Sequence, residues 1–173
     1  MQQRRPTRII RLHQVLHGFY RCNSGLIVAS SGSYEDKRAR GVSHGFALPG
    51  ELLYLDTDND SIAAFHGATF TATADFSRVE LYGFIRDSMQ FSRSQAHDAR
   101  ARVRWFLGRV ASSKLAVTHP HGSVVPLSRE AISWAINLSR EHAGDVIQRM
   151  VDAGKLSLHG KHPVFPHSKE LRK

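Results

Sequence analysis

A single cysteine, Cys22, stands in 173 residues. An internal disulfide is therefore excluded, as is a thiolate cluster, and nothing in the composition demands an oxidising compartment. A four-cysteine iron–sulfur centre is ruled out on the same ground. No apolar run approaches the roughly 18 residues that a bilayer-spanning helix needs, and the basic start (Arg4, Arg5, Arg8, Arg11) is not followed by the apolar stretch of a signal peptide. The expectation is a soluble, cytoplasmic chain with no membrane partner. Acids are scarce, 15 against 24 lysines and arginines, leaving a formal charge of +9 and a pI near 10.3. Such an excess suits an acidic polymer or surface as partner. Catalytic signatures are missing as well. There is no Ser/His/Asp order, paired-carboxylate motif, phosphate-cradling glycine loop or zinc signature with supporting context, so no catalytic residue is assigned and the chain reads as a non-enzyme.

The charge is unevenly placed. From Arg100 onward there are 13 basic and 5 acidic residues, a net of +8, which leaves +1 for the 99 residues before it. This asymmetry predicts two regions, the second of them meeting phosphates. With 41% hydrophobic residues the chain has enough apolar material for a core.

Residues 9 to 83 read as strand-rich. Short apolar or β-branched runs, Gly25 to Ala29 and Ala68 to Ala74, are broken by turn signals at Ser30-Ser31-Gly32-Ser33, Pro49-Gly50 and Asp56 to Asp60. A small antiparallel sheet or barrel follows. Between Leu81 and Ala111 there is no proline, and Val103, Phe106, Leu107 and Val110 repeat at helical spacing, so a helix is predicted with a break near Ser92 to His97. Trp105 and Phe106 are assigned to the core rather than to base stacking. Thr118-His119-Pro120-His121-Gly122 is a loop. Its two histidines form a metal pair only if a third ligand joins them, and none follows at zinc spacing, so no metal is expected.

The basic half carries the more specific pattern. Ser128 caps a short helix with Glu130 in its first turn and Ala131, Ile132, Ala135 and Ile136 on one face. Asn137 stands where a tight turn needs a left-handed backbone. Ser139 caps a second helix in which Ala143, Val146, Ile147 and Met150 face inward, leaving Arg140, Glu141, Gly144, Asp145 and Gln148 on the outer side. Two capped helices joined by such a turn make a helix-turn-helix. Beyond it, Leu156, Leu158, Val164 and Phe165 flank His159-Gly160-Lys161 as a β-hairpin wing, whose tip offers Lys161 and His162 to phosphate. Pro163 predicts that its strand is an edge.

Thr118-His119-Pro120-His121-Gly122, Leu127-Ser128-Arg129-Glu130, the run Asn137-Leu138-Ser139-Arg140-Glu141-His142-Ala143-Gly144 and Leu156-Ser157-Leu158-His159-Gly160-Lys161 together resemble the C-terminal winged helix-turn-helix of the CRP/FNR superfamily of bacterial transcription regulators, from about Arg102 to Phe165. Upstream, Leu16 to Arg21 and Gly45 to Leu53 resemble fragments of that family's cyclic-nucleotide-binding β-roll. The resemblance implies an α+β chain with a reduced antiparallel β-roll at 1–83, a connecting and dimerising helix at 84–101 and a winged helix-turn-helix at 102–173. It implies sequence-specific binding of double-stranded DNA by a homodimer, with RNA polymerase as a further partner. Arg140 and Glu141 would then read bases, since arginine donates twice to guanine and glutamate accepts from cytosine. Ser139 would bond phosphate, and Ser128 and Arg129 would lie against the backbone. Many relatives carry a second basic residue one turn after Glu141, where this chain has Asp145, which repels phosphate.

The weak effector candidates under the resemblance are Gly50, Glu51 and Leu52. Cyclic-nucleotide binders follow this element with an arginine cassette for the phosphate, and Asp56 to Thr73 holds no arginine or lysine. No cofactor is expected, and with 11 histidines none stands out as a haem ligand. Only 15 residues precede Leu16, so the opening elements of such a β-roll are expected to be missing or replaced; this and Asp145 suggest the rival reading, a degenerate member that modulates a full-length regulator without reading DNA.

Overall fold

The computed structural model describes residues 9–10, 18–31, 42–56 and 60–167, and the statements below concern these. The N-terminal arginines, Leu16-His17, the turn residues past Ser31 and within 57–59, and the tail with Lys169, Arg172 and Lys173 lie outside them. Two units divide the chain, Met1–Ser88 and Met89–Lys173.

The first unit is an antiparallel sheet built on two 14-residue strands. β1 (Ile9–Ile10), β2 (Gly18–Ser31), β3 (Val42–Ala47), β4 (Leu52–Leu55) and β5 (Asp60–Thr73) take the order β1-β5-β2-β3, and β4 also pairs with β2. The lower end of β2 holds β4 (Phe19 opposite Tyr54) and its upper end holds β3 (Val28 opposite Phe46), so the two short strands share one edge. Pro49-Gly50 turns the chain between them, with Gly50 at φ 91°, where a side chain is strained. Along β2, Tyr20 and Cys22 alternate inward, whereas every residue from Gly25 to Ser30 is buried. The register slips at Ser24 and Leu26. Gly25 sits in this bulge at φ 70°, and an added Cβ would lie 2.6 Å from both Ala68 Cα and Phe65 O. Tyr20, Cys22, Ile27, Ala29, Ala47, Leu53, Leu55 and Ile62 form the core, with Ala68 and Phe70 against it.

The helix after the sheet, α1 (Arg78–Gln95), starts earlier than the connecting helix predicted from residue 84. Its signal is a capping box. Ser77 N–H donates to Glu80 Oε2 at 2.7 Å, and Glu80 N–H donates to Ser77 Oγ at 3.2 Å. The Ser77 N–H first, then its hydroxyl and Arg21, hold the Glu80 carboxyl below the usual carboxylate range. The helical stretch breaks at residues 96–98, and Asp98 caps α2 (Ala99–Ala111) by accepting from Ala101 N–H at 2.7 Å.

In the second unit a four-stranded sheet has the order β6 (Val117–His119), β7 (Gly122–Val124), β9 (His162–Pro166), β8 (Ser157–His159). The strand with Pro163 is therefore central, contrary to the edge expected. Pairing of β7 with β9 ends at Val124 opposite Val164, and beyond it Val125 N–H still donates to the Pro163 carbonyl at 2.8 Å. Only the bond that Pro163 itself would have donated is forgone. Between the hairpins lie α3 (Arg129–Ala135) and α4 (Arg140–Asp152). Val103, Phe106, Leu107 and Val110 of α2, Ala131, Ile132 and Ala135 of α3, and Ala143, Val146, Ile147 and Met150 of α4 are all buried. Trp105, assigned to the core, is half-buried beside Phe91 with ring centroids 6.3 Å apart; Phe106 is fully buried.

Candidate nucleic-acid interface

Both helices of the motif start as the sequence implies. Ser128 Oγ accepts from Ala131 N–H at 3.1 Å and Ser139 Oγ from His142 N–H at 3.0 Å, each hydroxyl satisfying one donor that the first turn leaves unpaired. Asn137 adopts φ 55° in the turn between them. That turn is clamped from behind. Arg102 Nη1 donates to the Ile136 carbonyl at 3.2 Å, and Asn137 Nδ2 donates to Gln95 Oε1, also at 3.2 Å. The sequence reading missed Arg102 and Gln95; a cation preceding a buried apolar helical stripe carries no signal of which carbonyl it will find.

The inward stripe of α4 leaves Arg140, Glu141, Asp145 and Gln148 exposed. No hydrogen bond or ion pair to another described residue occupies the Arg140 or Glu141 side chain. His142 and Arg149 are exposed on the same helix and were not among the predicted residues. Arg149 Nε donates to the Asp145 carbonyl at 3.4 Å, and Gln148 Nε2 donates to Asp152 Oδ1 at 2.9 Å. Gly144 departs from the expectation, being buried instead of facing out. The reason is Arg129, whose Cδ and Nη1 would each lie 3.4 Å from a Cβ at position 144. Glycine leaves room for the Arg129 side chain to run over α4, so these two predicted residues meet.

In the wing, Lys161 is exposed at the two-residue tip between His159 and His162. His162, predicted beside it, is half-buried, its Nδ1 3.2 Å from the Leu127 carbonyl, so it ties the hairpin to the start of the motif. His159 stands with its ring centroid 5.1 Å from that of His119, and His119 is 5.6 Å from His121. Among the described residues, no group of three or more His, Cys, Asp and Glu is disposed to hold a metal ion.

In the first unit the weak effector candidates are engaged structurally. Glu51 Oε2 accepts from Leu48 N–H at 3.0 Å within its own turn, Gly50 N–H donates to the Cys22 carbonyl at 2.8 Å, and Leu52 is buried. Cys22 is fully buried, and its thiol donates to the Ser24 carbonyl at 3.3 Å. Burial, then the nearby Glu51 carboxylate, pushes this thiol up to about 12. At pH 8 the thiolate fraction is then about one in ten thousand. Cys22 should resist iodoacetamide at that pH in the native chain and react fully in denaturant; rapid native labelling, read by mass spectrometry, would contradict the buried site.

The first unit thus offers an antiparallel sheet on two long strands, and the second a pair of N-capped helices followed by a hairpin, with the outer side of α4 exposed. The chain is similar to CRP and to CRP/FNR-family regulators, in sequence over part of its length and in fold over nearly all of it. Over 74 residues the chain is 31% identical to the cAMP-activated global transcriptional regulator CRP of Pasteurella multocida, covering 43% of this chain and 35% of that protein. The chain spans about a third of the length of the curated relatives it matches. A CRP-family transcriptional regulator from Thermus thermophilus superposes with a TM-score of 0.66 at 18% identity, over 98% of this chain and 92% of the other. FixK2 from Bradyrhizobium japonicum gives 0.61 at 16% identity, over 96% and 95%. No family model matches the chain. The fold is thus the CRP/FNR fold. No helix among the described residues is long and apolar enough to cross a membrane.

Proposed function

We propose that this chain is a cytoplasmic, sequence-specific double-stranded-DNA-binding transcription regulator of the CRP/FNR type, reading the major groove with α4. The observation that carries this is the pair Arg140 and Glu141, exposed and unengaged in the first turn of a helix whose opposite face is buried. An arginine there donates to guanine O6 and N7, and a glutamate accepts from cytosine N4. Ser139, at the helix N-terminus, and Ser128, Arg129 and Lys161 around it, supply contacts to phosphate that fix register. Gln148 and Asp145 lie further along the same exposed side, where Asp145 accepts from a base amino group instead of meeting phosphate. RNA polymerase is the further partner.

Selection of bound sites from genomic fragments tests the reading. Arg140→Ala is expected to cost about 1 to 3 kcal/mol at one base pair and to relax preference there, whereas Lys161→Ala should weaken all sequences alike and flatten the salt dependence. Equal loss on every sequence for Arg140→Ala sinks the assignment.

The active form in this reading is a homodimer, since one helix-turn-helix reads few base pairs and two-fold symmetry doubles the set. Along α1, Val79 (80% exposed), Tyr82 (73%), Ile85 (44%) and Met89 (52%) stand at spacings of three and four, an apolar stripe with water as its neighbour. A second copy of α1 is the occupant the dimer supplies. Sedimentation should report dimers at micromolar concentration and monomers for the Tyr82→Glu, Met89→Glu double variant; wild-type monomers throughout would remove the dimer from the scheme.

A further inference from the structure

The DNA-binding unit contains a cleft that the reading above does not use. It has a volume of roughly 530 Å³ and lies among the end of α1, the start of α2 and β9. That volume is within the range of about 300 to 1,000 Å³ typical of small-molecule sites. Gln90, Arg93, Ser94 and His97 approach from the α1 side at spacings of three and four, Ala101, Arg104 and Trp105 from α2, and Phe165 from β9.

Its walls are aromatic. Trp105 is half-buried, its indole steadied by Phe91, and the Phe165 ring is seated by Gly108, where an added Cβ would lie 3.4 Å from Phe165 Cζ. Its polar groups are cationic. Arg93 and Arg104 are exposed, and neither has a hydrogen bond or ion pair to another described residue. Arg21 and Arg102, by contrast, are used internally: Arg21 holds Glu80 at 2.8 Å, and Arg102 holds the Ile136 carbonyl. Ser94 is buried and spends its hydroxyl on the Phe91 carbonyl at 2.7 Å, so it shapes the floor and does not bind. The acid at this corner, Asp98, is committed to capping α2.

Two unengaged guanidinium groups beside an indole and a phenyl ring fit one ligand chemistry: a flat ring that stacks, carrying an anionic group that arginine grips in a fork. We infer that this cleft is a binding site for a small anionic aromatic molecule, held by Arg93 and Arg104 through its phosphate or carboxylate and by Trp105 and Phe165 through its ring. The inference needs no DNA to test, so its failure leaves the function proposed above untouched.

The chain has two tryptophans, and Trp134→Phe leaves Trp105 as the sole indole reporter in the full-length protein. AMP serves as the phosphate-bearing probe and nicotinate as the carboxylate-bearing one, with adenosine and nicotinamide as their neutral counterparts. At least one anionic probe should quench Trp105 saturably, its neutral counterpart binding about tenfold more weakly or worse, a difference set by charge-assisted hydrogen bonds. Arg93→Gln with Arg104→Gln should weaken the anion by at least about tenfold while circular dichroism and the thermal midpoint stay unchanged. Whichever anion prevails identifies the headgroup. Absence of saturation by either probe up to about 10 mM, beyond the weak end of useful affinities, overturns the site, as does equal quenching in the double arginine variant.

Discussion

Phe106→Ala is expected to destabilise the Met89–Lys173 unit by about 3 to 5 kcal/mol, a large part of the 5 to 15 kcal/mol that typically holds a domain folded. The side chain is among the largest fully buried ones and sits on the face of α2 that also carries Val103, Leu107 and Val110. Truncation removes the ring's transfer free energy and leaves a void that the surrounding strands and helices fill only in part, because interiors are close-packed. Phe106→Leu should lose much less, since it keeps most of the volume. Urea unfolding followed by tryptophan fluorescence measures both variants; a loss under about 1 kcal/mol for the alanine would show that α2 is not packed as described.

Gly25→Ala is expected to be nearly as damaging through a different cause. At φ 70° an alanine pays roughly 1 to 2 kcal/mol for the left-handed backbone. Its Cβ would also stand 2.6 to 2.7 Å from Ala68 Cα, Phe65 O and Ala68 N, all backbone atoms that cannot rotate away. Relieving that overlap means shifting β5 against β2, and forced overpacking adds about 1 to 3 kcal/mol. Gly67→Ala is the control. It has a similar φ of 65° with nothing within 4 Å, so it should show the backbone cost alone. Equal thermal shifts for the two variants would mean that the bulge is not tight.

The helix-turn-helix was legible because its signals are local. A capping serine, an acid in the first turn, an i, i+3, i+4, i+7 stripe and a lone asparagine each act within a few residues, and Ser128, Ser139 and Asn137 take those roles in three dimensions. The hairpin tip at Gly160-Lys161 was legible for the same reason. What the sequence concealed depends on partners far along the chain. Gly144 reads as outward by helical phase, but the Arg129 side chain of the neighbouring helix lies against it. Pro163 reads as an edge residue until β7 arrives on its other side. The start of α1 was a missed local signal: Ser77 and Glu80 have capping-box spacing and set the helix at Arg78. The helix break fell at residues 96–98, close to the stretch marked for it, because Asp98 begins a new cap there.

The way Arg129 lies over Gly144 has a bearing on how such surfaces evolve and are engineered. Part of the positive charge at that level of α4 is lent by the preceding helix, beside α4's own Asp145 and Arg149. Substitutions confined to the outer side of α4 would leave this donated cation in place. A side chain larger than alanine at position 144 would instead push the Arg129 side chain aside, changing the electrostatic character of the surface without touching a single ionisable residue.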